Sequence, residues 1–303
     1  MKILIDVDRA LAEGKITADE YQRIRALAVG QTSDLALNIL IGFGVVALAA
    51  GFLTLVPSIG AVVATGAAVA ALGLALILLR PERWRMLGEI LLVVGATLFA
   101  GGLVAFDEGS ARSAVAAALL FAAASILARN GLLAGLAVLA LSAAVGARTG
   151  YTHAMYMLGV EQPVVTVMAF AALGIALVAL AKYLPEHLAR LAIIAARVSA
   201  LLVNLGFWIG SLWGDSRGAT AVPRDVFVVG WALALLCAGV WAWRENRRWP
   251  LITATVFAAI HFYTQWFERL GAHPGAILAA GAITIAIGFA LKSLLAAMPP
   301  RTA

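Results

Sequence analysis

The sequence predicts an all-α fold in which a small helical hairpin precedes a polytopic bundle of about ten transmembrane helices. Three observations predict it. Hydrophobic residues make up 63% of the 303 residues and charged residues only 13%, whereas soluble domains have roughly 45–50% and 25%. The apolar residues form separate runs, most of them near the roughly 20 residues that a helix needs to cross a bilayer. The basic residues cluster between these runs, where they orient a protein in a membrane.

Residues 1–33 are predicted to form a small cytoplasmic helical hairpin. We expect the mature chain to retain this segment, because it is too polar and acidic for a signal peptide. One helix is predicted over Leu4 to Leu11 and a second over Ala18 to Val29. Thr17 and Glu20 have the spacing of a capping box, in which each side chain bonds the backbone amide of the other residue. The hairpin either caps the membrane domain or binds a cytoplasmic protein partner.

Residues 34–303 are predicted to form the transmembrane bundle, in one interpretation as two five-span halves at 34–146 and 164–295. Runs four and five have only about 15 residues each, so they are either tilted helices or a re-entrant pair. Removing both would leave the two termini on the same side. The ten runs are Leu35–Val56, Ala61–Leu79, Met86–Phe106, Ser113–Leu127, Leu132–Gly146, Val164–Ala181, Leu191–Trp213, Val226–Trp243, Leu251–Phe267 and Ala276–Leu295.

The distribution of basic residues predicts that both termini are cytoplasmic. Of the 22 Lys and Arg residues, 16 fall on the side of the N-terminus and 5 on the other side, with Arg197 inside a span. Trp208, Trp213, Trp231 and Trp266 lie toward the outer ends of their runs, which is typical of residues at a membrane interface. The 18 Arg against 4 Lys hint at a bacterial source. We therefore expect a multi-pass protein of a bacterial inner membrane.

Glycine pairs predict close helix contacts. Gly66 and Gly73 lie on one run, and Gly206 and Gly210 form a GxxxG pair on another. Small residues let transmembrane helices approach closely. This pattern indicates packing and does not discriminate between functions.

Polar residues inside the spans are the candidate site. Arg197 and Asn204 lie seven residues apart in run seven, so both are expected to face the bundle interior. Glu89 lies at a depth similar to that of Arg197 and is a candidate ion-pair partner for it. His261 and Gln265 share one face of run nine, with His261 near the depth of Asn204. These groups either line a solute or proton pathway or lock the packing of the bundle.

Several classes of function are disfavoured. The formal charge of +6 is explained by orientation in a membrane, so we expect no nucleic-acid partner. The single cysteine, Cys237, excludes an internal disulfide and a cysteine metal cluster. The sequence contains no HExxH, GxSxG or phosphate-binding glycine loop. We therefore expect no enzyme activity, no cofactor and no metal site.

Three segments carry a resemblance to a known family. They are LAEGKITADEYQRI at 11–24, LNILIGFGVVALAAGF at 37–52 and NRRWPLITATVFAAIHFYTQWFERLG at 246–271. In pattern and order the chain resembles the bacterial polytopic membrane proteins of domain-of-unknown-function family 2157, which implies a helical hairpin followed by a multi-span bundle and no specific activity. In helix count, length and orientation it is also similar to ten-span drug and metabolite transporters, which implies five plus five inverted spans.

Two functional hypotheses follow from these patterns. In the first, a small solute binds in or passes through a cavity between the spans, lined by Arg197, Asn204, His261 and Gln265, with Glu89 as partner of the arginine. In the second, the protein is a membrane scaffold, sensor or assembly factor that acts through the N-terminal hairpin. The bilayer is the partner common to both hypotheses.

Overall fold

The structure is a computed structural model that describes residues 13–23, 58–79, 84–152, 155–216 and 221–296, together with short segments between 40 and 55. It divides into two compact units, Met1–Ala144 (unit 1) and Val145–Ala303 (unit 2). The helices and strands are α1 Ile59–Leu79, α2 Arg85–Phe106, α3 Ala111–Ala128, α4 Gly131–Ala144, β1 Ala147–Thr152, β2 Met155–Val160, α5 Pro163–Leu180, α6 Glu186–Trp213, α7 Arg224–Arg244, α8 Arg248–Leu270 and α9 Pro274–Ala296.

The predicted helical fold is confirmed, and it is compatible with an integral membrane protein. Among the described residues, six helices are long and apolar enough to cross a membrane, namely α1, α2, α3, α5, α6 and α7. Helix α4 has 14 residues, or about 21 Å, which is shorter than the hydrocarbon core. Helix α8 is long but contains polar residues such as His261 and Gln265. The prediction of ten spans with two cytoplasmic termini therefore stays a prediction.

Two sequence predictions fall wholly or largely outside the described residues. The first hairpin helix, Leu4 to Leu11, lies entirely outside them, and the first span, Leu35–Val56, lies mainly outside. The predicted capping box lies within them and is confirmed. The Thr17 amide donates to Glu20 Oε2 at 2.8 Å, and the Glu20 amide donates to Thr17 Oγ1 at 3.3 Å. The hydrogen bonds from Thr17, with the backbone bond first, lower the pKa of Glu20.

In unit 1, α1 and α2 form an antiparallel pair whose backbones touch. A Cβ atom built on Gly66 would lie 2.3 Å from the Phe99 nitrogen, and one built on Gly73 would lie 2.4 Å from the Leu92 nitrogen. Only glycine leaves room for this approach, so the predicted small-residue face of this span is confirmed.

Helices α3 and α4 follow through a tight turn at Asn130. The Asn130 Oδ1 atom accepts hydrogen bonds from the amides of Leu132 and Leu133 at 2.9 and 3.2 Å. An asparagine in this position satisfies amides that have no partner within the helix. Leu133 then packs with Leu92 and Phe121 in the core of unit 1.

A two-stranded hairpin is the departure from a purely helical fold. Strands β1 and β2 pair antiparallel, with Tyr151 opposite Tyr156 and Thr152 opposite Met155. Aromatic and β-branched residues favour strands. These strands lie between two of the predicted apolar runs, Leu132–Gly146 and Val164–Ala181, where no strand was predicted.

Unit 2 packs its helices in chain order, α5 against α6, α6 against α7 and α7 against α8. A Cβ atom on Gly210 would lie 2.4 Å from the Phe227 ring, and one on Gly206 would lie 2.9 Å from the Val167 side chain. The predicted GxxxG pair of α6 therefore faces both neighbouring helices. A buried cluster of Trp231, Leu235, Ala254 and Phe257 forms the core between α7 and α8.

Asp215 ties the segment after α6 to the start of α5. Its Oδ2 atom accepts a hydrogen bond from the Val164 amide at 3.0 Å, and the residue is 3% exposed. Replacing Asp215 with Ala should lower the free energy of unfolding by about 1–2 kcal/mol, because the helix amide loses its acceptor.

Unfolding of the full chain in uncharged detergent micelles measures this effect. Asp225→Ala is the control, because Asp225 is exposed in the first turn of α7 and should contribute only about 0.3–1 kcal/mol through the helix dipole. A larger loss for Asp225→Ala than for Asp215→Ala would contradict the capping role.

Candidate functional site

A cavity of about 620 Å³ lies between α5, α6, α7 and α8. Small residues on the facing helices, including Ala200, Ala234 and Ala238, leave the space open. Phe207 contributes aromatic wall surface, whereas Phe170 and Trp231 border the cavity but are only 1% and 0% exposed. A concave, mostly apolar space of this size with a few polar groups is typical of a small-molecule site.

The charged residues of the cavity lie at one end. Lys182 follows α5, while Glu245 and Arg247 lie in the connection between α7 and α8. Helices α5 and α7 end here and helices α6 and α8 begin here, so the two connections meet at the same end of unit 2. The predicted orientation places this end on the cytoplasmic side.

A second cavity of about 570 Å³ adjoins this charged end, along α5 and α6. It shares Val178, Lys182 and Arg247 with the first cavity, and it adds Arg190 and Arg197. We call this second cavity the basic groove.

Arg197 lies in the basic groove and not in the bundle interior. Its side chain is exposed, and its guanidinium carbon lies 5.4 Å from the centre of the Trp249 ring. This is a cation–π contact, and Trp249 itself lines the first cavity. The prediction that Arg197 faces the interior beside Asn204 is therefore wrong, because the two side chains face different neighbours of α6.

Asn204 lies in the interior, as predicted, and lines the first cavity. Its Nδ2 atom donates to the Ala200 carbonyl at 2.8 Å, and its Oδ1 atom accepts from Trp231 Nε1 at 2.9 Å. The bond to Trp231 joins α6 to α7. The amide therefore has a packing role whatever the cavity contains.

Trp231 lies in the interior of unit 2 and not at a membrane interface. It is fully buried, so its assignment to a membrane-interface belt is wrong. Its ring also packs edge-on against His261, with 4.8 Å between the ring centres. Trp231 thus lies between the two polar residues that the sequence placed at similar depth. The one sequence signal for it was its depth, a turn or more inside its apolar run.

His261 and Gln265 line a third and separate cavity, of about 490 Å³, between α7 and α8. Gln265 Nε2 donates to Ser211 Oγ at 3.4 Å, which joins α8 to α6. The Nδ1 atom of His261 is buried and has no hydrogen-bond partner within the described residues. The structure therefore does not gather the four predicted residues of unit 2 around one cavity.

Glu89, the fifth predicted site residue, lies in α2 of unit 1. Its Oε1 atom pairs with Arg85 Nε at 2.9 Å, one turn away on the same helix. This pair is half exposed and has the i, i+4 spacing of an ordinary helix-surface contact. Glu89 thus has a local partner, while Arg197 contacts Trp249 in unit 2.

The donor set of the described residues is not that of a metal centre. No three His, Cys, Asp or Glu side chains come together there in a way that could hold a metal ion. The first cavity and the basic groove can bind a ligand through apolar contacts, cation–π contacts and ion pairs.

Comparison with known proteins does not assign the chain to a family. No protein-family model, no curated protein and no solved structure matches the chain.

Proposed function

We propose that this protein is an integral membrane protein that binds a small solute in the cavity between α5, α6, α7 and α8, and that the solute enters or leaves through the charged end at Lys182 and Arg247. The observation that carries the proposal is the cavity itself, about 620 Å³ with apolar walls and charges at one end. Transport of that solute, a bacterial inner membrane and cytoplasmic termini are parts of the same proposal, supported by the distribution of basic residues.

Cysteine labelling tests whether water reaches the cavity. In a Cys237→Ser background, Ala234→Cys places a thiol on the cavity wall, whereas Ala232→Cys places one on the exposed surface of the same helix. In proteoliposomes, a neutral, water-soluble methanethiosulfonate should label Ala234→Cys at least about tenfold faster than Ala232→Cys. The thiol of Ala232→Cys would face the lipid, whereas only a hydrated thiol ionises and reacts. Equal and slow labelling of both variants would rule out a solute cavity.

A second candidate function is a membrane scaffold, sensor or assembly factor that acts through residues 1–33. Hydrogen bonds between helices favour it. Besides the bond from Trp231 to Asn204, Trp208 donates to Thr264 at 3.0 Å. Polar groups used in this way lock helices together and leave fewer of them for a pathway.

Deleting residues 1–30 tests this alternative. Loss of a co-purifying protein, with the unfolding temperature of the membrane domain unchanged, would support the scaffold. Absence of any partner of the intact chain would count against it. A relationship to the family of domain-of-unknown-function proteins, or to ten-span transporters, is compatible with either function and remains a proposal.

A further inference from the structure

The first cavity and the basic groove together have the character of a site for an amphipathic anion. Apart from the amide of Asn204, which is hydrogen-bonded to Trp231 and Ala200, the first cavity is apolar at the end lined by Phe207. Its other end opens at Lys182 and Arg247, which also line the basic groove. An apolar chamber that leads directly to a cationic groove suits a ligand with an alkyl chain and a charged head.

The basic groove carries an excess of positive charge. Of the charged residues that line the two cavities, Lys182, Arg190, Arg197 and Arg247 are cationic and Glu186 and Glu245 are anionic, so the net charge is +2. Within the described part of the chain, none of these four cations forms an ion pair. Unpaired Arg and Lys side chains are suited to bind carboxylate or phosphate, with Arg able to do so through two parallel hydrogen bonds.

The size of the first cavity favours one alkyl chain. Along α5 the lining extends from Phe170 to Ala179, a rise of nine residue steps or roughly 13 Å. An extended chain advances roughly 1.1–1.2 Å per bond, so about eleven or twelve bonds cover this length. If a methylene occupies about as much space as a water molecule, roughly 30 Å³, then 620 Å³ holds about 20 such groups. One extended chain of about eleven or twelve bonds therefore fits within the cavity.

We propose that the first cavity and the adjoining basic groove bind a single-chain anionic amphiphile, with its alkyl chain beside Phe207 and Ala234 and its carboxylate or phosphate paired with Lys182 and Arg247. Arg197, held over Trp249, lies where the two cavities adjoin. It supplies a further positive charge to the head group. This assignment rests on the proposed solute cavity and names the class of ligand.

The test measures protection of the Ala234→Cys thiol in phosphatidylcholine proteoliposomes. Dodecyl phosphate should slow labelling in a saturable way, because its chain would cover the thiol. Dodecanol, which has the chain without the charge, should require about a tenfold higher concentration, since the charge-assisted bonds are lost. Inorganic phosphate, which has the charge without the chain, should give no protection.

Charge variants provide matched controls. Arg247→Gln should raise the concentration of dodecyl phosphate for half-protection by about tenfold. Arg244→Gln should leave it unchanged, because Arg244 lies in the last turn of α7 outside both cavities. Equal protection by dodecanol together with no effect of Arg247→Gln would overturn the anionic assignment, while the labelling itself would still support a solute cavity.

Two further outcomes would overturn the ligand class. If dioleoyl phosphatidylglycerol vesicles protect the thiol as strongly as dodecyl phosphate does, the site binds a two-chain lipid. If inorganic phosphate alone protects the thiol, the site binds a simple anion. A second readout needs no cysteine. The bromine of 11-bromoundecyl phosphate is at the chain end opposite the phosphate, so this ligand should quench tryptophan fluorescence, and less so in Trp231→Phe. No quenching would overturn the proposal even if the cysteine variants fail to fold.

Discussion

Replacing Gly95 with alanine should destabilise the pair of helices α1 and α2 by about 1–3 kcal/mol. A Cβ atom at this position would lie 2.2 Å from the Ala70 nitrogen and 2.7 Å from the Ala70 Cα atom. Both atoms belong to the backbone, so no side-chain rotation can relieve the clash and the helices must move apart. Overpacking of this kind costs about 1–3 kcal/mol, and a larger side chain such as leucine should cost more.

Gly101→Ala is the matched control for Gly95→Ala. Gly101 lies in the same helix, and a Cβ atom there would meet nothing within 4 Å. The change should be neutral or stabilising by up to about 1 kcal/mol, because alanine favours a helix more than glycine does. Thermal unfolding of the full chain in uncharged micelles measures both variants. Equal effects of the two substitutions would show that the helix backbones are not in contact at Gly95.

Removing the bond from Trp231 to Asn204 should produce the second large effect. Asn204→Leu leaves the indole N–H of a fully buried tryptophan without its acceptor. An unsatisfied buried donor costs about 1–3 kcal/mol, while replacing both partners with apolar groups costs much less per group. The double variant Asn204→Leu with Trp231→Phe should therefore be more stable than the sum of the single variants predicts.

The coupling energy from this double-mutant cycle is the quantity to measure. Hydrogen bonds between membrane helices give about 0.6 kcal/mol on average and up to about 1.7 kcal/mol, and this bond should lie toward the upper end because both partners are buried. Trp213→Phe is the control, since Trp213 is 74% exposed and should show no coupling to Asn204. A coupling energy of zero for the Asn204 and Trp231 pair would show that this bond does not hold α6 against α7.

The candidate site was only partly predictable from the sequence. The interior position of Asn204 was predicted because an amide inside an apolar run is costly unless it has a hydrogen-bond partner. The burial of Trp231 was not predicted, because tryptophan occurs both in protein cores and at membrane interfaces and the sequence does not distinguish the two positions. The cavity itself depends on alanines such as Ala200 and Ala234, and alanine is so frequent in this chain that its positions carry no signal.

Arg197 illustrates why spacing was not sufficient. A separation of seven residues places Arg197 and Asn204 nearly on one side of α6, yet Asn204 faces the core and Arg197 lies in the basic groove. Helix α6 packs against α5 on one flank and α7 on the other. A small rotation about the helix axis, and a change of depth, decide which neighbour a side chain meets.

By itself the sequence determined the helical class, the membrane-compatible composition and the capping box at Thr17, because hydropathy and helix caps depend on residues close together in the chain. The tertiary structure alone decided the contact of α1 with α2, the burial of Trp231 and the meeting of Lys182 with Arg247 around one cavity. Each of these joins residues distant in sequence, and in an apolar chain nearly every helix face is an acceptable packing surface. Shape complementarity decides which faces pack together. Glycines of α1 and α2 fit against the facing helix backbone, and the Trp231 indole bonds the Asn204 amide, and hydropathy contains no information on either contact.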